Sequence, residues 1–203
     1  MGFAMAWIAL LVAIAALVWM RLSKRVNVDH LPSSFVVFDL KTTGPDPERH
    51  EIIEIGALRV DRDSTVHESF RTLVRPSRAV PIRVTELTGI TQNAIDAEGK
   101  SVAEALAAFT AFIGDLPLVS FNADLGMTFL ANAAQRNSVP IRNQVACARK
   151  MAARAWPDRK VHDLSGLAKD DKPADVASHR VLDDCRRVLS VYLSAASRLG
   201  TVR

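Results

Sequence analysis

Phe35-Val36-Val37-Phe38-Asp39-Leu40-Lys41-Thr42-Thr43-Gly44 is the stretch on which the reading of this chain turns. Its aromatic and β-branched run predicts a buried strand, and the Thr-Thr-Gly that follows ends the strand in a turn. Side chains at i and i+2 of a strand share a face. Asp39 and Lys41 therefore point into one pocket at the strand's C-terminal end, a carboxylate beside an ammonium.

Four further segments follow in order. They are Ile52-Ile53-Glu54-Ile55-Gly56-Ala57, Thr88-Gly89-Ile90-Thr91, Phe121-Asn122-Ala123-Asp124-Leu125-Gly126-Met127-Thr128-Phe129-Leu130 and His179-Arg180-Val181-Leu182-Asp183-Asp184. Together with the first strand they resemble the motifs of the DEDDh (DnaQ-like) 3′-5′ exonucleases, which read Asp-x-Glu-Thr-x-Gly, His-Asn-Ala-x-Phe-Asp-x-x-Phe-Leu and His-x-Ala-x-x-Asp. The resemblance covers Phe35 to Ser197. It implies a ribonuclease-H-like fold, a mixed five-stranded sheet flanked by helices.

Two of the four metal-binding carboxylate positions are altered. Asp39 and Asp184 are retained, whereas Lys41 stands at the glutamate and Gly126 at the aspartate. Asn122, Ala123, Phe129 and Leu130 fix that register, which also puts Phe121 on the motif's histidine and Leu125 on its phenylalanine. Asp124 is no substitute for the missing aspartate, because residues two apart on a helix face different ways. His179 falls on the general-base position.

In the related exonucleases the carboxylates hold two Mg2+ or Mn2+ ions, which stabilise the attacking and leaving oxygens of the phosphodiester. An inward Lys41 opposes such ions. A unit charge repels another by roughly 4 kcal/mol at about 4 Å and an effective dielectric of about 20, and a dication about twice that. Lys41 either pairs with both Asp39 and Asp184, relieving the cost of two carboxylates in one pocket, or lays its stem over the rim with its ammonium in solvent.

The resemblance implies that the Thr42-Thr43-Gly44 turn approaches the terminal nucleotide, with Asn122 in the second motif. Arg149, Lys150 and Arg154 supply cations nearby in sequence, with Lys150 and Arg154 at i and i+4 on an expected helix, a pattern able to follow a phosphate backbone. Three functions stay open. One is an impaired exonuclease-like domain binding nucleic acid or a protein partner. Another is an active 3′-5′ exonuclease acting on single-stranded DNA or RNA 3′ ends, with ligands borrowed from Glu48, Glu51 or another subunit. The last is a membrane scaffold without a nucleic-acid role.

Composition supports one domain with an appendage. The chain has 203 residues, is 49% hydrophobic and carries a net charge of +4. No charged residue precedes Arg21, and residues 1–20 form an apolar run long enough to cross the hydrocarbon at about 1.5 Å per residue. Basic residues follow at Arg21, Lys24 and Arg25, which by the positive-inside rule puts the domain in the cytoplasm. The expected organisation is a transmembrane helix over 1–20, a basic tether over 21–34 and the exonuclease-like domain over 35–198. Cys147 and Cys185 lack metal-ligand spacing and read as small buried residues. His30, His50, His67 and His162 read as surface residues.

Expected strands run from Phe35 to Leu40, Glu51 to Asp61, Val66 to Val74 and Leu116 to Phe121, with a short one near Ile141 to Ala146. Expected helices span Val102 to Ile113, Asp124 to Asn137, Cys147 to Trp156, Val161 to Lys169 and His179 to Ser197.

Overall fold

The structure is a computed structural model and describes residues 31–167 and 181–200. The expected transmembrane segment and His179 lie outside the described residues. Among the described residues, no helix is long and apolar enough to cross a membrane.

Five strands form one sheet in the order β3-β2-β1-β4-β5. They are β1 (Ser34–Thr42), β2 (Ile52–Asp61), β3 (Glu68–Leu73), β4 (Leu118–Ser120) and β5 (Val145–Cys147). β1 is central: it runs antiparallel to β2 and parallel to β4, so its residues need to be apolar on both faces. Phe35 and Val37 accordingly face one core cluster, while Val36 and Phe38 face another. Each such buried side chain contributes roughly 1.5–3 kcal/mol.

Seven helices are described: α1 (Ile82–Thr88), α2 (Gln92–Glu98), α3 (Val102–Ile113), α4 (Ala123–Arg136), α5 (Ala148–Ala155), α6 (Leu164–Leu167) and α7 (Val181–Arg198). α3 and α4 cover the Val36–Phe38 face, and α5 and α7 cover the other. α3 starts where its chemistry dictates, at a capping box in which Ser101 and Glu104 satisfy each other's backbone N–H groups. The mixed five-stranded sheet and its flanking helices are those expected from the motifs.

Some expectations differ from the structure. α1 and α2 were not anticipated. Each has seven residues, and α1 buries none of them, so neither shows a helical period. They instead close a small third cluster through Ile53, Leu73, Val80, Ile90 and Ile95. The helix expected from Val161 is described only as the single turn α6. Leu31, placed by the sequence in the tether, is 7% exposed and packs in the α5–α7 cluster. The core therefore includes a residue from before β1.

Candidate functional site

The alternation of β1 sends Asp39 and Lys41 toward α7, on the same side as Phe35 and Val37. What brings α7 close is Gly56. It is paired with Asp39 across the β1–β2 ladder, and a Cβ there would lie 2.5 Å from Val181 Cγ1 and 2.6 Å from Cγ2. Without a side chain at 56, the first turn of α7 rests directly on the sheet. One turn on from Val181, Asp184 then meets β1.

The result is a chain of charges. Lys41 Nζ donates to Asp39 Oδ2 at 2.9 Å and to Asp184 Oδ2, and Arg187 Nη1 donates to Asp184 Oδ1 at 3.1 Å. All four side chains are mostly buried, with Lys41 14%, Asp39 24%, Asp184 11% and Arg187 22% exposed. Burial works against the ammonium of Lys41, but the two carboxylates outweigh it and push its pKa up. Burial raises the Asp39 carboxyl, with Lys41 pulling in the opposite direction. Of the two orientations open to Lys41, the structure shows the inward one.

A second ion pair lies behind the first. Glu54 is the cross-strand partner of Lys41, is 2% exposed, and accepts from Arg71 Nε at 2.6 Å. Burial raises its carboxyl against the pull of Arg71. In the sequence Glu54 stands out only as part of a strand motif, and Arg71 and Arg187 belong to none of the motifs. The i, i+3 spacing of Asp184 and Arg187 was a signal available for the latter.

The remaining site residues sort clearly. Gly126 on α4 borders Phe38 and Ser120, and a Cβ there would meet them at 3.4 and 3.5 Å, ordinary contact for an added side chain. Asp124 is bound to Lys150 at 2.7 Å. Asn122 precedes α4 and accepts from Arg149 Nη2 at 3.3 Å. Arg154 is exposed on α5. Thr42 Oγ1 donates to the Gly44 carbonyl at 2.7 Å, and Thr43 Oγ1 accepts from Glu51 N–H at 3.0 Å, closing the turn.

His50 is not the surface residue expected. Its ring lies so close against Gly44 that a Cβ at 44 would overlap it, and its Nδ1 accepts from Asp46 N–H at 3.1 Å. His162 Nε2 lies 3.1 Å from the Trp156 carbonyl and is half-buried, as is His67. Neither borrowed-ligand candidate turns to the site: Glu51 Oε2 takes the N–H and hydroxyl of Ser77, and Glu48 Oε1 is met by Asn132. Cys185 is buried with its thiol pushed well up by desolvation, and Cys147 is half-buried. Both suit packing.

A pair of divalent ions needs a surplus of anionic oxygen. Here Asp184 has each oxygen engaged by a different cation, and the second oxygen-rich position, at 126, carries no side chain. Among the described residues, no group of three or more His, Cys, Asp or Glu is placed to hold a metal. The residues present do not fit a two-metal centre.

Residues 36–192 match the RNase_T family, described as exonuclease. DNA polymerase III subunit epsilon of Aquifex aeolicus is 31% identical over 178 residues, covering 87% of this chain and 87% of that protein. DNA polymerase III PolC-type of Clostridium perfringens is 32% identical over 157 residues, covering 77% of this chain and 11% of the polymerase. Among solved structures, E. coli Exonuclease I in complex with a dT13 oligonucleotide superposes with a TM-score of 0.68 at 17% identity, covering 83% of this chain and 42% of that one. The fold is therefore shared with a larger protein of which this chain spans less than half.

Proposed function

Because this chain belongs to the RNase_T exonuclease family, we propose that it is a membrane-anchored, exonuclease-like domain that binds single-stranded nucleic acid but hydrolyses it poorly or not at all. One observation carries the proposal: the ammonium of Lys41 sits between Asp39 and Asp184. In the active members that region holds metal ions balanced by carboxylates, and the phosphodiester is activated there. With an internal cation in place, an incoming divalent ion meets repulsion instead of ligands. A general base at His179 then has no metal-bound water to deprotonate.

Binding is supported by likeness and by charge. Exonuclease I shares the fold and holds dT13 in its solved complex. The Thr42-Thr43-Gly44 turn is intact, and Arg149, Lys150 and Arg154 are exposed on the first turns of α5. The apolar run over 1–20 and the basic residues behind it support anchoring, with the domain in the cytoplasm.

The 203-residue chain in nonionic detergent, incubated with 3′-labelled DNA and RNA in Mg2+ and in Mn2+, tests the reading. No nucleotide release above background is expected. The double variant Lys41→Glu, Gly126→Asp is expected to gain release, since a Cβ at 126 meets its neighbours at ordinary contact. Robust cleavage by the natural chain, abolished by His179→Ala, would favour an active exonuclease. Absence of any single-strand binding would favour a scaffold or a protein-binding role.

A further inference from the structure

We infer that the Asp39–Lys41–Asp184–Arg187 cluster is a metal-independent phosphodiester site, in which Lys41 and Arg187 present the positive charge that bound ions supply elsewhere in the family. The inference rests on the binding reading above and deepens it. Its observation is a balance of charge: two carboxylates, Asp39 and Asp184, face two cations, Lys41 and Arg187, in one connected set. Behind them Glu54 is matched by Arg71. The cluster is neutral as it stands, so a phosphodiester approaching it does not meet an uncompensated group of carboxylates.

Donors remain for such a ligand. A lysine ammonium has three N–H groups and a guanidinium five. Among the described residues Lys41 uses two of its own and Arg187 one. Both side chains retain some exposure, 14% and 22%, so neither is fully enclosed. The guanidinium is also fixed by Asp184, and a fixed planar fork suits phosphate oxygens. Arg187 thus has two tasks, holding Asp184 away from divalent ions and presenting positive charge to the ligand.

The chemistry specifies the behaviour. Magnesium is expected to add nothing to binding beyond ionic screening. Removing Arg187 is expected to weaken binding to the same extent with and without Mg2+. Lys41 still bars divalent ions in Arg187→Gln, so the weaker binding is expected to stay magnesium-independent, and rescue by a second cation at 187 separates a charge contribution from a merely structural one.

The experiment is fluorescence anisotropy of a labelled oligothymidylate with the full chain in nonionic detergent, in excess EDTA or in millimolar Mg2+ at matched ionic strength. The natural chain is expected to bind with Kd values in the two conditions that agree within about twofold, and Arg187→Gln to bind about tenfold more weakly in both. Thermal melts check that the variant is folded, and Arg187→Lys, which keeps the charge but not the planar fork, is expected to recover part of the affinity. Binding by the natural chain that is lost in EDTA and restored by Mg2+ overturns this inference while leaving the binding reading intact. Absence of binding in both conditions overturns the two together. Unchanged affinity in Arg187→Gln removes Arg187 from the site.

Discussion

Val181 rests on Gly56 so closely that a Cβ at 56 would lie 2.5 Å from its Cγ1. That contact sets the height of α7 above the sheet, and so the reach of Asp184 toward Lys41. Gly56→Ala is expected to lift the first turn of α7 and to destabilise the domain by about 1–3 kcal/mol, the usual cost of overpacking. Chemical denaturation measures the loss. Shortening the opposing side chain in Gly56→Ala, Val181→Ala is expected to recover part of it.

Lys41 holds two carboxylates that, among the described residues, share no other cation. Lys41→Met leaves Asp39 without its partner and Asp184 with Arg187 alone, an imbalance expected to cost about 3 kcal/mol. In the triple variant Asp39→Asn, Lys41→Met, Asp184→Asn, no charge is left stranded at those three positions. It is expected to be more stable than Lys41→Met alone, as urea denaturation of the two would show.

Alkaline pH attacks the fold from two directions. The pKa of Lys41 is higher in the folded chain than the ordinary lysine value, so the stability it contributes is complete below that ordinary value and is lost as pH rises through the folded one. Tyr192, 2% exposed, is pushed up to about 12 by burial. Between its ordinary value near 10 and about 12 the unfolded chain loses this proton while the folded chain keeps it, so stability falls as pH rises. Melting temperature is expected to drop across that window. Tyr192→Phe is expected to soften the drop and Lys41→Met to remove the contribution of Lys41.

Gly126 leaves room for a side chain beside Phe38 and Ser120. Gly126→Ala is expected to be tolerated and to stabilise α4 by up to about 1 kcal/mol, the ordinary difference between the two residues inside a helix. A melt of Gly126→Ala against the natural chain measures it. A strongly destabilised variant would show that the space is not available, and with it the route to restoring the missing carboxylate.

How much of this was legible follows from the kind of information each residue carries. Asp39 and Lys41 were readable as neighbours because the two-residue period of a strand is local. Asp184 was tied to them through the spacing of the motifs. The partners Glu54 and Arg71 depend on the β1–β2–β3 register, which pairs Lys41 with Glu54 and places Arg71 opposite Gly56. That register is a tertiary fact. Arg187 was readable as a helical neighbour of Asp184, yet nothing local says that Asp184's other oxygen is taken by Lys41. α1 and α2 escaped because two turns of helix carry too few apolar residues to show a period. Leu31 escaped because its burial depends on α5 and α7, more than a hundred residues further along the chain.

The account depends on a cation of the protein standing where divalent ions would have to bind. Calorimetric titration of the full chain in detergent with Mn2+ tests this most directly. The expected result is heat no greater than dilution, with no site tighter than about millimolar, and a measurable site appearing in Lys41→Glu, Gly126→Asp. Two sites of submillimolar affinity in the natural chain would contradict the account.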